Sequence, residues 1–319
     1  MNVATKPIQA GDLSETAIYE AIREMQTSFD EKKKNAKVIS EKIRKEGGVA
    51  EAVRLIDMNI KQSIDATRKG FEDSFSSGAF YNKQTQDAGH LEQILRFLPI
   101  KQDMTILDLG AGSGYLSFPI AKENSSCKVV GLDIVNKALE VNRERADKEN
   151  MSNLSFVCYD GIDFPFADAS FDMVISRYAL HHFPDIEHSI GEVSRVLKKN
   201  GYFFVSDPCP NDCDSSRFVD EYMQMKKDGH IKFYTKKEWE NICGKFGMAM
   251  SDFFESSIRF PKKRDTAYGF DELLKKHEQS IIDSYDLVVS DTEIYVTERV
   301  NNILFLSQSD TTPTSESDM

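Results

Sequence analysis

Leu107-Asp108-Leu109-Gly110-Ala111-Gly112-Ser113-Gly114-Tyr115 is the stretch on which the fold turns. Ile106 to Leu109 forms an apolar run that reads as a buried strand. Three glycines alternate directly behind it, and a helix is expected from about Tyr115 to Glu123. Strand, glycine turn and helix together make a nucleotide-binding corner. Glycine lets the backbone turn sharply there and approach a ligand without a Cβ in the way. The spacing is D-x-G-x-G-x-G, not the dinucleotide pattern G-x-G-x-x-G. A pyrophosphate seeks helix N–H groups and no nearby carboxylate. Asp108 therefore argues against an NAD-dependent oxidoreductase and for a ligand with a free ammonium group.

Outward from this corner, Lys128-Val129-Val130-Gly131-Leu132-Asp133-Ile134 is a second strand, ending in an acid 25 residues after Asp108. An acid at that place can accept hydrogen bonds from both ribose hydroxyls. A third strand, Ser155 to Tyr159, precedes Asp160-Gly161. Phe164 to Asp172 leads into a fourth strand, Met173 to Ser176, and then Arg177-Tyr178-Ala179-Leu180-His181-His182-Phe183. A helix over 186–198, a turn at Lys199-Asn200-Gly201 and a fifth strand, Tyr202 to Asp207, complete the alternation.

From about Thr105 to Asp207 this text resembles the class I SAM-dependent methyltransferases, and among them the small-molecule enzymes of ubiquinone and menaquinone biosynthesis. The resemblance implies an α/β fold: a Rossmann-like, seven-stranded, mostly parallel sheet with helices on both faces. It implies S-adenosyl-L-methionine (SAM) as cofactor, S-adenosylhomocysteine (SAH) as product, and methyl transfer to O, C or N of a small-molecule acceptor. The cofactor set it implies is Asp108, Gly110, Ala111, Gly112, Gly114, Asp133, Asp160, Gly161 and Ser176. Within that set Asp160 would lie near the adenine amino group, and Ile134 joins it at the adenine face. Phe80 and Tyr81, just before the domain, are candidates for the cofactor or substrate wall, or for packing under a lid.

Composition bounds the rest. The chain has 319 residues, 40% hydrophobic and 29% charged, with net charge −12, which suits a soluble globular protein and argues against a general nucleic-acid surface. No apolar stretch is long enough for a membrane span, and no signal-peptide core is visible at the N-terminus. Cys127, Cys158, Cys209, Cys213 and Cys243 are scattered and odd in number, as expected of a reduced, cytoplasmic protein. Cys209 and Cys213 lack a second ligand pair, so no metal site is expected.

Residues 1–85 read as a helical extension or lid. One helix is expected from Leu13 to about Lys45 and another from Val49 to about Phe71, with a stripe that fits core packing or a homodimer contact. The methyltransferase domain is expected over 86–307, with insertions at about 208–235 and 258–298, and a disordered tail over 308–319. The insertions are expected to add α/β structure at the C-terminal end: a helix over Ser215–Lys227, a sixth strand over Met248–Phe254, a helix over Phe270–Ser284 and a last strand near Asn302–Ser307. Thr235 is expected to cap a helix, with Glu238 completing a capping box.

Methyl transfer to a hydroxyl needs a proton acceptor, and histidine is the side chain whose ordinary pKa suits that task. His182, His181 and His230 are the candidates. The histidine pair follows the fourth strand, at the sheet edge that carries the ligand cleft in open α/β folds. Adjacent residues point different ways, so one is expected in the cleft and one in a structural role. Asp207 could orient a base or bind substrate. A SAM-binding sensor without turnover, and an enzyme acting on protein or nucleic acid, are the competing readings. The D/N-P-P-Y/F motif of amino-methylating nucleic-acid enzymes is replaced here by Ser176-Arg177-Tyr178-Ala179.

Overall fold

Apolar runs alternating with amphipathic helices leave the chain little choice but a sheet covered on both sides. A computed structural model describes residues 14–45, 47–76, 87–225, 228–264 and 269–308. The chain divides into two compact units, residues 1–61 and 62–319. In the first unit, α1 (Glu15–Thr27) and α2 (Phe29–Lys45) replace the single helix expected over 13–45. Side chains competing with the backbone account for the break: the Thr27 and Ser28 hydroxyls donate to the Arg23 and Glu24 carbonyls at 2.9 and 2.5 Å. The third helix, α3 (Gly48–Ser76), runs five residues past its expected end and crosses from one unit into the other.

In the second unit, α4 (Ala88–Phe97) is capped by Asp87, which accepts from the N–H groups of Gly89 and His90. Then come β1 (Thr105–Leu109), α5 (Ser117–Glu123), β2 (Lys128–Asp133), α6 (Asn136–Lys148), β3 (Leu154–Cys158) and β4 (Phe171–Arg177). A short 3₁₀ turn over Leu180–His182 leads to α7 (Ile186–Val196), β5 (Leu197–Cys209), α8 (Phe218–Gln224) and α9 (Lys236–Lys245). The chain closes with β6 (Met248–Lys263), α10 (Phe270–Lys276), α11 (Gln279–Asp283), β7 (Val288–Val289) and β8 (Glu293–Ser307). Thr235 and Glu238 form the capping box of α9.

The sheet order is β3-β2-β1-β4-β5-β8-β6, with β7 attached to β8. Strands β1 to β5 pair in parallel, and β8 lies antiparallel to both β5 and β6. The described residues thus carry eight strands rather than seven, the extra one being the two-residue β7. Period-two alternation assigns the two cores. Leu107, Leu109, Val174, Phe203 and Val205 face α7 and α9, while Ile106, Met173, Ile175 and Phe204 face α4, α5 and α6. A parallel sheet covered on both faces is why its strands read as continuous apolar runs.

The C-terminal part departs from expectation. Strand β6 extends to Lys263 and β8 begins at Glu293, so the stretch expected as an insertion over 258–298 opens and closes in paired strands. Polar residues alternate with buried ones along β8, which masks its strand character. The helix expected over Phe270–Ser284 is two helices, broken at the extended His277. That expected over Ser215–Lys227 starts only at Phe218, where the Asp214 carboxylate accepts from the N–H groups of Phe218 and Val219. Phe218, Tyr222, Phe233, Phe270, Tyr285, Ile294 and Val296 then form a third core, so both predicted insertions build one cap.

Candidate functional site

At the carboxyl ends of β1, β2 and β4 lies a cavity that opens to solvent. Gly110, Asp133, Ile134 and His182 line it, together with Tyr178, Ala179 and three residues of α3, Thr67, Phe71 and Phe75. The glycine turn is built as the sequence requires. Gly110, Gly112 and Gly114 adopt φ of +72°, +49° and +75°, a region costly for residues with a Cβ. A Cβ on Gly110 would also stand 2.4 Å from that of Ala179. The turn is tied to β2 by the N–H groups of Gly110 and Ala111, which donate to Leu132 O at 2.8 and 3.1 Å.

Asp133 accepts from Gly112 N–H at 2.8 Å through one oxygen and from Val135 N–H at 2.9 Å through the other. Each oxygen keeps acceptor capacity for a ribose hydroxyl. Burial raises this carboxyl above its usual range, and the N–H groups of Val135 and Gly112 work against that. Ser176 Oγ donates to Leu109 O at 2.8 Å and locks β4 to β1 beneath the cavity. Asp160 turns its loop by accepting from the N–H groups of Ile162 and Asp163, and Gly161 adopts φ +94°. Asp108, Ala111, Gly112, Gly114, Asp160, Gly161 and Ser176 shape the cavity without lining it. Tyr81 and Phe80 lie outside the described residues.

Asp108 is 3% exposed and lies under the turn, with Ser117 Oγ donating to it at 2.5 Å. Burial pushes its carboxyl up to about 6, chiefly against that hydrogen bond. A buried acid of this kind favours a cation nearby. Asn142, which the sequence reading passed over, donates to Gly112 O at 2.8 Å and holds the turn from α6. Its signal was available: it is the polar member of the buried stripe Ala138, Leu139, Asn142, Ala146.

His181, His182 and His230 form one buried cluster. His182 reaches the cavity, with Phe71 edge-on to its ring at 5.1 Å. The Gly229 carbonyl accepts from this ring, and Nδ1 has no hydrogen-bond partner. Burial first, then the neighbouring His181, hold the imidazole well below the usual histidine range. His181 stands behind it at 4.1 Å between ring centroids and pairs with Asp207, Nδ1 to Oδ1 at 2.7 Å, while its backbone N–H donates to Oδ2. Burial pushes Asp207 well above the carboxylate range. His230 lies 5.4 Å from His181 and is held by Asp220 at 2.9 Å, so it backs the cluster and does not face the cavity.

Tyr178 takes φ +53°, a left-handed conformation rare for a bulky residue and found where the surroundings impose it. Arg177 stacks between the rings of Tyr115 and Tyr178, 3.9 Å from each centroid. The stack was not legible in the sequence, because Tyr115 lies far from Arg177 in the chain.

The described residues therefore fit an adenosine with a cationic tail: a ribose acceptor at Asp133, an apolar slot at Ile134 and Phe75, and a buried acid under the turn. Residues 100–247 match the methyltransferase domain family. The chain is 30% identical over 148 residues to the uncharacterized methyltransferase YcgJ of Bacillus subtilis (strain 168), covering 46% of this chain and 58% of that protein. It is 29% identical over 178 residues to the ubiquinone/menaquinone biosynthesis C-methyltransferase UbiE of Rhizobium meliloti (strain 1021), covering 53% and 63%. The chain thus spans under two thirds of the length of these relatives. The crystal structure of YcgJ superposes with a TM-score of 0.60 at 21% identity, over 70% of this chain and 100% of that one, a likeness of fold.

Proposed function

We propose that the chain, whose residues 100–247 match the methyltransferase domain family, is a class I SAM-dependent methyltransferase that transfers the methyl group of SAM to a small-molecule acceptor at the cavity mouth, with His182 as general base. When bound, SAM supplies a methyl group on a sulfonium, already a good leaving group. The protein's part is to align and to take a proton. Asp133 would hold the ribose, Ile134 the adenine, and the glycine turn the chain between ribose and sulfonium. His182 is the observation that carries the reading. Its ring stands on the cavity wall, held by the Gly229 carbonyl, its buried Nδ1 has no hydrogen-bond partner, and burial favours its neutral form. His181, fixed by Asp207, and His230, fixed by Asp220, support its ring from behind.

Among the described residues the cavity wall carries no Lys or Arg, which favours an acceptor without an anionic group. The net charge of −12 fits that choice and fits no nucleic-acid acceptor. Five free cysteines fit a reducing, cytoplasmic compartment. No helix of the described residues is long and apolar enough to cross a membrane. The exposed residues Ile18, Ile22 and Met25 on α1 and Phe29 at the start of α2 support association with a second copy.

Turnover of SAM over a panel of uncharged hydroxyl, amine and activated-carbon acceptors tests the reading. For a hydroxyl acceptor, His182→Gln should lower turnover about 10²-fold or more at saturating substrate and leave SAH affinity unchanged. Wild-type turnover in both His182→Gln and His181→Gln would remove histidine from the chemistry. Absence of turnover with intact SAM binding would favour a sensor.

A further inference from the structure

Helix α3 reads from its apolar stripe as core packing or a homodimer contact, yet its second half places an arginine on backbone carbonyls. Arg68 donates from Nε to Ile134 O and from a terminal nitrogen to Asp160 O, both at 3.3 Å. Its other terminal nitrogen pairs with Asp65 at 2.7 Å. Ile134 follows β2 and lines the cavity beside Asp133, and Asp160 follows β3. One guanidinium thus bridges the two loops between which an adenine would lie. A planar fork can span two acceptors at a set distance, which a lysine ammonium does far less well.

Packing holds the helix in the same place. Gly161 leaves its Cβ position to Ile64, whose Cγ2 is 2.8 Å away, with Ile134 at 3.2 Å. Further along the helix, Thr67 presses on Gly229, where a Cβ would stand 2.0 Å from Thr67 Oγ1. Phe71 then meets the ring of His182. The stretch 64–71 therefore touches both adenosine loops at one end and the support of His182 at the other.

We propose that Arg68 is a positioning residue for the adenosine end of the cofactor, fixing the separation of the β2 and β3 loops and so the width of the adenine slot. The proposal rests on the reading of the cavity as a SAM site. Arg68 approaches no reacting atom. It sets cofactor affinity rather than the methyl-transfer step.

Calorimetric titration of full-length wild type, Arg68→Met, Arg68→Lys and Asp65→Asn with SAH, beside thermal unfolding without ligand, tests it. Arg68→Met should raise the SAH Kd about tenfold or more, with an unliganded Tm within about 2 °C of wild type. Arg68→Lys should recover only part of the affinity, and Asp65→Asn, which removes the exposed ion pair and keeps the bridge, should bind as wild type does. Wild-type affinity in Arg68→Met overturns the proposal. So does an Asp65→Asn loss equal to that of Arg68→Met, or a loss in Arg68→Met matched by a large fall in unliganded Tm with full affinity in Arg68→Lys. A wild-type protein that takes no SAH would overturn the cofactor reading itself.

Discussion

Single residues carry the pH behaviour. Asp108 titrates near 6 in the fold against 3.8 unfolded, so between about pH 4 and 6 the folded state binds the extra proton. Stability from this residue falls as pH rises through that window, and the full cost stands above it. Asp108→Asn keeps an acceptor for Ser117 without the charge. It should stabilise the unliganded protein by about 1–3 kcal/mol at pH 7.5, with the gain vanishing near pH 4, while weakening SAM binding. Denaturant unfolding at both pH values checks this, and an equal shift at both would contradict it. His182 has the opposite sign. Its folded pKa lies well below 6.5, so below that pH the unfolded state binds more protons and stability falls with acid. Turnover that depends on its neutral form should hold level from pH 7 to 8 and fall only on the acid side. A proton-acceptor limb rising through pH 7–8 would point to another group.

At the scale of elements, the glycine turn and the cap make separable claims. Gly110→Ala places a Cβ against Ala179 on a left-handed backbone. It should cost at least about 2 kcal/mol of stability and abolish SAH binding; unfolding and titration of the variant measure both. Tyr285 donates to Asp214 at 2.7 Å and accepts from Asn211 N–H at 2.9 Å, tying the segment after α11 to the loop before α8. Tyr285→Phe should cost about 1–2 kcal/mol and alter acceptor turnover while leaving the SAH Kd alone. The contrast between turn and cap also explains what was legible. From Thr105 to Asp207 the central strands β1 and β4 are buried on both faces, and the glycine or acid of the turns after β1, β2 and β3 is in place, so local pattern and tertiary role agree. Beyond Asp207 they diverge. Strand β8 alternates buried and half-buried residues over Glu293–Val300 and resembles a polar insertion until β6 is seen beside it. His277 breaks a helix whose composition alone gives no warning. Arg68 was hidden because its partners are backbone carbonyls 66 and 92 residues away.

For the whole molecule, the proposed function rests on one arrangement: a covered sheet whose carboxyl edge holds the glycine turn on one side and the histidine cluster on the other. Of the large apolar side chains most exposed to solvent, Ile18, Tyr19, Ile22 and Phe29 lie on α1 and α2, and Val49, Val53 and Ile56 on the first turns of α3. Sedimentation should therefore find an oligomer that Ile22→Glu combined with Ile56→Glu shifts toward monomer; a monomeric wild type would contradict it. The central claim is the identity of the ligand in the Gly110–Asp133 cavity. Calorimetric titration of wild type and Asp133→Ala with SAM, SAH and NAD tests it most directly. The account predicts saturable SAM and SAH binding to wild type, weakened at least about tenfold in Asp133→Ala, and none to NAD. Binding of NAD in preference to SAM, or SAH binding untouched by Asp133→Ala, would contradict it.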